Sequence, residues 1–286
     1  MAHDKQSLLA VHTAVLLFAL SGLFAKWLLL PAIVIVCARA LFASLTLIFI
    51  IRFVKKQSLE INRSMVWPLL ATGVVLAIHW VSFFQAIQVS TVAIGLITFA
   101  SFPLFVSLFE PYFFKEAFEL KTVFQALLTL LGISLVLPFD AIDYSVLNGM
   151  LWGVISAITF ALLTLLNRKF VVQHSATKVS LYQNGVAGLL LLPLALISPP
   201  EISNYQWQLL FVLGVIFTAL SHTLFNHALK KIKAQTASIA VSLEPIYAII
   251  AAYLFLGETL TSLMMLGGLI VILTNIWVLR VNEQKS

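Results

Sequence analysis

The chain has 286 residues, of which 61% are hydrophobic and 10% charged, with a formal net charge of +6. Soluble domains carry about 25% charged residues, so too few polar groups are present to cover a water-facing surface, and a soluble globular protein is excluded. The single cysteine, Cys37, excludes an intrachain disulfide and a thiolate metal cluster.

A helix that crosses a bilayer needs about 20 mostly apolar residues. Such runs are predicted at 8–27, 31–52, 64–86, 91–113, 119–138, 146–168, 177–198, 206–228, 234–256 and 261–280. The first follows "MAHDKQS" and has the outline of a leader peptide. It lacks an A-x-A-like cleavage site, so it reads as a spanning helix. The second carries Arg39 in "CARALFASL", and the third carries His79 beside Trp80. The fourth ends in "PLFVSLFEPYFFKE", which sets Glu110 near Lys115 at an interfacial depth. The sixth has Trp152, Ser156, Thr159 and Asn167 at helical spacing. Beside them runs a ladder of small residues, Gly149, Gly153, Ala157 and Ala161, which lets helices approach closely. The eighth sets His222 and Asn226 four residues apart, on one face. The ninth holds "AVSLEPIYAI", with Glu244 followed by Pro245. The joints are short and rich in turn residues, as in "LLLPA" and "LISPPEIS". Open sheets cannot cross lipid, and the runs are too long for the strands of a barrel. The fold class is an all-α integral membrane protein with ten transmembrane helices.

With the N-terminus inside, the inner joints hold Lys5, Arg52, Lys55, Lys56, Arg63, Lys115, Lys121, Arg168, Lys169, Lys178, Lys230, Lys231, Lys233, Arg280 and Lys285. The outer joints hold only Lys26, together with Asp140, Asp143, Glu201 and Glu258. This asymmetry predicts both termini in the cytoplasm of a multi-pass protein of the cytoplasmic (inner) membrane. It accounts for the positive charge through membrane lipid and calls for no nucleic acid.

The two halves of the chain resemble each other. "FALSGLFAKW" from Phe18 aligns with "FALLTLLNRK" from Phe160, and "PLFVSLFEPYFFKE" from Pro103 aligns with "PIYAIIAAYLFLGE" from Pro245. Both matches, and that of Glu116 with Glu258, fall at one shift of 142 residues. The division is 1–142 and 143–286, with five spans in each half. Five is odd, so the second copy enters the membrane from the opposite side, as two inverted-topology repeats around a central cavity. Such repeats are the pattern of secondary transporters, with sites near the midplane.

At this shift Glu244 pairs with Phe102, and Glu110 pairs with Ala252, so the two EP strings are not copies of each other. Glu244 lies about ten residues into its span, roughly 15 Å deep, which is half of a core about 30 Å thick.

These features resemble the drug/metabolite transporter superfamily, in its EamA-type branch. The resemblance is carried by Pro103 and Pro245, by Glu116 and Glu258, by Arg39 in "CARALFASL" and by the "SLEP" of the ninth span. It implies two EamA repeats, a ten-helix fold, a cavity between the repeats, and export of amino acids or other small metabolites. The second half departs from the first: Gln183 stands where an arginine would be expected, and "SGL" becomes "LTL".

An ionisable group within a membrane costs roughly 2.5–3.5 kcal/mol on insertion scales, so it needs a partner or a wet cavity. Glu244 is the first candidate for substrate binding. Pro245 removes a backbone donor beside it, and the carboxylate could hold a substrate ammonium or cycle a proton. The plainer role is a hydrogen bond to a neighbouring helix. Arg39 could neutralise Glu244 or bind a substrate carboxylate. At the 142-residue shift, His222 and Asn226 face Trp80 and Phe84, one polar wall opposite one aromatic wall, which suits an amphipathic ligand. His79, Ser156 and Thr159 complete the set, although each could equally serve helix contact. No H-x-x-x-H or carboxylate spacing supports a metal site. Glu116 and Glu258 precede helices, where acids favour the positive end of the dipole.

No cofactor is implied. A proton as coupling ion and a homodimer both stay open. A hydrolase would call for G-x-S-x-G or H-E-x-x-H, and neither occurs. The reading is therefore a secondary active transporter and not an enzyme. The alternatives are a channel or facilitator, or an intramembrane enzyme without a recognised motif.

Overall fold

The computed structural model describes residues 5–115, 120–135, 143–172 and 174–256, with residues 262, 263, 265–267, 269, 270, 272–274 and 277 of the C-terminal stretch. Glu116, Asp140 and Glu258 lie outside the described residues, as does the division between the halves at residue 142. The described residues form helices and connections, with no strand among them.

The helices are α1 (Lys5–Leu28), α2 (Ala32–Phe49), α3 (Val66–Val89), α4 (Val92–Phe99), α5 (Phe102–Phe114), α6 (Leu120–Ser134), α7 (Tyr144–Val171), α8 (Ala176–Ile197), α9 (Asn204–Gly214), α10 (Ser221–Ala228), α11 (Ala234–Val241) and α12 (Glu244–Leu256). A π-helical turn extends α2 through Ile50–Val54, and another joins α9 to α10 through Val215–Leu220. Among the described residues, seven helices are long and apolar enough to cross a bilayer. Shorter apolar helices occupy Phe102–Phe114, Val123–Gly132 and Met265–Thr274.

Helix starts follow their capping chemistry. Asp143 accepts from the Val146 N–H at 2.9 Å and opens α7, Thr91 accepts from Ile94 at 3.2 Å and opens α4, and Ser203 with Gln206 forms a capping box at α9. Asp143 is exposed, and the Ser145 hydroxyl, followed by backbone N–H groups, holds its carboxyl below the usual range. Gln206 also donates to Leu28 O at 2.7 Å, and Gln88 to Leu30 O at 2.7 Å. Gln206 meets a carbonyl that the end of α1 leaves without a helical partner, and Gln88 meets one in the connection to α2. Leu29, between them, has φ of 52°.

Two breaks position the site. α4 stops before Ala100 and Ser101, and α11 stops before Ser242 and Leu243. The breaks are again 142 residues apart, and each is followed by a proline, Pro103 or Pro245, in the first turn of the next helix. Proline is tolerated there because a first-turn N–H has no helical acceptor in any case.

The halves interlock. α3 packs along α7, α2 along α8, α1 against α10 and α12, and α4 against α7, so each pair takes one member from either half. Small residues allow this contact. A Cβ on Gly153 would lie 1.8 Å from Thr98 Oγ1, and one on Gly149 would lie 2.2 Å from Ser90 Oγ.

Glu110, expected at an interfacial depth near Lys115, is enclosed by protein. It is fully buried, and its Oε1 accepts from Arg168 Nη1 at 2.5 Å and from the Ala234 N–H at 3.2 Å. The guanidinium of Arg168 also sits 4.2 Å from the Phe114 ring centre. Glu110 therefore ties α5 to the ends of α7 and α11. The physical reason is that a carboxylate at a helix–helix seam needs a cation and a donor together.

Two stability outcomes follow. Gly153→Leu should lower the thermal unfolding midpoint of the detergent-purified protein, with a cost of at least about 1–3 kcal/mol from overpacking. Glu110→Ala should cost about 3–5 kcal/mol, because it leaves the Arg168 charge without its carboxylate. A loss below about 1 kcal/mol would class the pair with exposed ion pairs.

Candidate functional site

The break between α11 and α12 places Glu244 as the first residue of α12 rather than midway along a continuous helix. Carboxylates are favoured at that end by the helix dipole. Glu244 is only 3% exposed, yet among the described residues it has no ion pair. Its side chain faces a cavity lined by Phe18, Ser21, Arg39, His79, Trp80, Phe83, Phe99, Phe160, His222 and Glu244. The cavity is narrow, about 20 Å³, which is room for water.

Arg39 enters from the middle of α2. Its Nε donates to Thr218 Oγ1 at 2.9 Å and its Nη2 to Phe217 O at 3.2 Å. The guanidinium carbon lies 4.3 Å from the Trp80 ring centre and 5.3 Å from that of Phe84, an arrangement that adds cation–π attraction. Arg39 and Glu244 share the cavity but do not form an ion pair. Arg39 therefore acts on Glu244 across the cavity, while its direct bonds go to the π-helical turn.

The imidazoles differ. His79 Nδ1 lies 3.1 Å from Ser156 O and 2.9 Å from Ser156 Oγ, while that hydroxyl donates to His79 O at 3.2 Å. A carbonyl can only accept, so the network assigns the proton to Nδ1 and leaves Nε2 as an acceptor. Ser156 therefore orients His79 and does not itself line the cavity. His222 packs edge-on to Trp80 at 4.8 Å between ring centres and lies 5.0 Å from Phe18.

The structure gathers Glu244, Arg39, His79, Trp80 and His222 around one cavity, and it places Asn226 and Thr159 elsewhere. Asn226 donates to Ser180 Oγ at 2.9 Å, joining α10 to α8. The Thr159 hydroxyl turns back to Ile155 O at 2.7 Å and Ser156 O at 3.0 Å. Sharing a helical face with His222 was not enough for Asn226, because that face turns from the cavity towards α8 within one turn.

Beyond the Trp80 and Phe84 wall, a phenylalanine cluster was not singled out from sequence. Phe99 stacks on Phe102 at 5.3 Å, and Phe160 meets Phe99 at 5.4 Å and Phe18 at 6.4 Å. One signal could have found part of it: Phe18 and Phe160 are repeat partners at the 142-residue shift, and both face the cavity.

Known proteins resemble this chain over most of its length. A sequence profile of the EamA-like transporter family matches residues 5–137 and again residues 147–280. An uncharacterized transporter of Archaeoglobus fulgidus is 29% identical over 192 residues, 67% of this chain and 68% of that protein. The S-adenosylmethionine uptake transporter of Rickettsia conorii is 25% identical over 87% of this chain and 82% of its own. The pseudopaline exporter CntI of Pseudomonas aeruginosa is 26% identical over 85% and 84%. A solved crystal structure superposes with a TM-score of 0.81 over 99% of this chain and 100% of that one, at 16% identity, and so shares its fold.

Proposed function

This chain belongs to the EamA-like transporter family, and we propose on that premise that it is a secondary carrier for a zwitterionic, amphipathic metabolite. It is a multi-pass membrane transporter and not an enzyme. The observation that carries the substrate reading is the pair of opposite charges, Arg39 and Glu244, which line one cavity without bonding to each other. A zwitterion would bridge them, with its carboxylate on the Arg39 guanidinium and its ammonium on Glu244. The aromatic rings of Phe18, Phe83, Phe99 and Phe160 would receive the apolar part.

Alternating access is supported by the profile's two matches and by the two breaks at one offset. Broken helices whose half-helix ends meet near the midplane are the usual site architecture of inverted-repeat transporters. We take the halves as inverted repeats of five spans each, with both termini in the cytoplasm, on the strength of the positive-inside asymmetry. The two named relatives act in opposite directions, one in uptake and one in export. We propose export for this chain, driven by inward proton flow. Glu244 would exchange a substrate ammonium for a proton, since one carboxylate cannot hold both.

Counterflow in proteoliposomes tests this with a matched set: phenylalanine, phenethylamine, which lacks the carboxylate, and 3-phenylpropionate, which lacks the amine. S-adenosylmethionine is a fourth probe. Phenylalanine should exchange with saturation, and the two truncated probes should be at least about tenfold weaker, the worth of one charge-assisted hydrogen bond. Glu244→Gln should stay folded and lose uphill transport under an imposed pH gradient. Wild-type uphill transport by Glu244→Gln would defeat both the ligand and the proton role. Reporter fusions at both termini and at residues 55–63 should report the cytoplasm, and opposite sides for the two termini would sink the inverted repeat.

A further inference from the structure

We infer that Thr218, carried on the π-helical turn of Val215–Leu220, is the positioning residue that holds the Arg39 guanidinium apart from Glu244. This deepens the zwitterion reading and rests on it. Two opposite charges that share a buried, low-dielectric cavity attract each other strongly. Left to themselves they would collapse into a direct ion pair, and a zwitterion would have to break that pair to bind. They have not collapsed here, so something must restrain one of them. Glu244 has no ion pair among the described residues. The restraint that the structure shows is on Arg39, held by two hydrogen bonds and two aromatic faces.

Its chemistry can be read atom by atom. A threonine hydroxyl has one hydrogen and two lone pairs. In a regular α-helix the hydrogen goes to the carbonyl three or four residues back. Thr218 instead donates to Leu213 O, five residues back, at 2.7 Å, because the π-helical turn displaces the ladder. That bond fixes the hydroxyl rotor, and a lone pair then accepts Arg39 Nε–H at 2.9 Å. The preceding carbonyl, Phe217 O, accepts both Arg39 Nη2 at 3.2 Å and the Ser221 hydroxyl at 2.7 Å. Trp80 supports the flat face at 4.3 Å. A guanidinium has five N–H groups. Two are held by the π-helical turn, which leaves three to meet a carboxylate in the cavity.

Gly214 makes the approach possible, since a Cβ there would lie 2.4 Å from Phe42 Cβ and 3.0 Å from Arg39 O. The arrangement also has no copy in the first half. At the 142-residue shift Thr218 corresponds to Leu76, inside the regular helix α3, and Arg39 corresponds to Leu181, with Gln183 two residues on. The 142-residue counterpart of this turn is regular helix, and the arginine it holds has no arginine counterpart in the second half. Single π-helical turns of this kind recur at functional sites.

The test uses the full-length purified protein and needs no substrate for its first arm. A double-mutant cycle of Arg39→Gln and Glu244→Gln is read by thermal midpoints, first with Thr218 in place and then with T218V. With Thr218 the two losses should couple only through the long-range attraction across the cavity, since the side chains are not bonded to each other. With T218V, which keeps the shape and removes the hydroxyl, the coupling should grow as the freed guanidinium reaches Glu244. T218S should return it to the wild-type value. The second arm reads phenylalanine and 3-phenylpropionate by counterflow. T218V should weaken phenylalanine by at least about tenfold, and T218S should stay near wild type. T218V combined with Glu244→Gln should regain 3-phenylpropionate, since no carboxylate remains for the arginine to collapse onto. If T218V misfolds, T218A carries the same comparison. Coupling in T218V no larger than in the wild type, or T218S falling as far as T218V, would overturn the inference. A wild-type protein that takes none of the probes defeats the zwitterion reading instead, while the thermal cycle still decides the role of Thr218.

Discussion

A guanidinium inside a lipid-embedded bundle must be met by protein on every side that water does not reach, and the way Arg39 is met governs the rest of the cavity. Its charge is carried by a threonine hydroxyl, a main-chain carbonyl and two aromatic faces, all neutral. That choice leaves Glu244 without a direct ion pair among the described residues and keeps the acid and the base facing one space. A fully paired site would have been inert by comparison, because breaking a buried ion pair uncovers two desolvated charges at once.

The chain contains the inert version as well. Among the described residues Glu110 and Arg168 bond directly inside the bundle, and the Ala234 N–H also donates to the carboxylate. The two EP strings therefore serve opposite ends. In α5 the acid precedes a proline within the helix and ties three helices together. In α12 the acid opens the helix and faces the cavity. The local strings are nearly alike, and the difference lies in what the neighbouring helices bring to each.

Duplication supplied the frame on which these differences stand. The helix breaks, the prolines after them and the cavity phenylalanines Phe18 and Phe160 recur at one offset. Arg39, Glu244, Thr218 and the π-helical turn at Val215–Leu220 have no like counterpart at that offset. A symmetric frame gives two similar walls and two hinges, while the unpaired polar residues make the cavity chemically one-sided. Such a cavity can orient a solute that has distinct ends.

The amino-acid sequence by itself determined that this is a membrane protein of helices, the approximate limits of most of those helices, and the duplication. These follow from composition, from run length against bilayer thickness and from matches at a constant shift, and none of them depends on knowing which helices touch. It also nominated Arg39, Glu244, His79, Trp80 and His222, because a polar group in an apolar run is conspicuous wherever it points. Only the tertiary structure decided partners. It turned Asn226 and Thr159 away from the cavity, bound Ser156 to His79, buried Glu110 against Arg168, and broke the helix so that Glu244 begins α12. The reason is physical: periodicity along one helix fixes which residues share a face, but not which neighbour covers that face. A π-helical turn or a helix break depends on contacts with helices more than a hundred residues away in sequence, as Arg39 and Thr218 are.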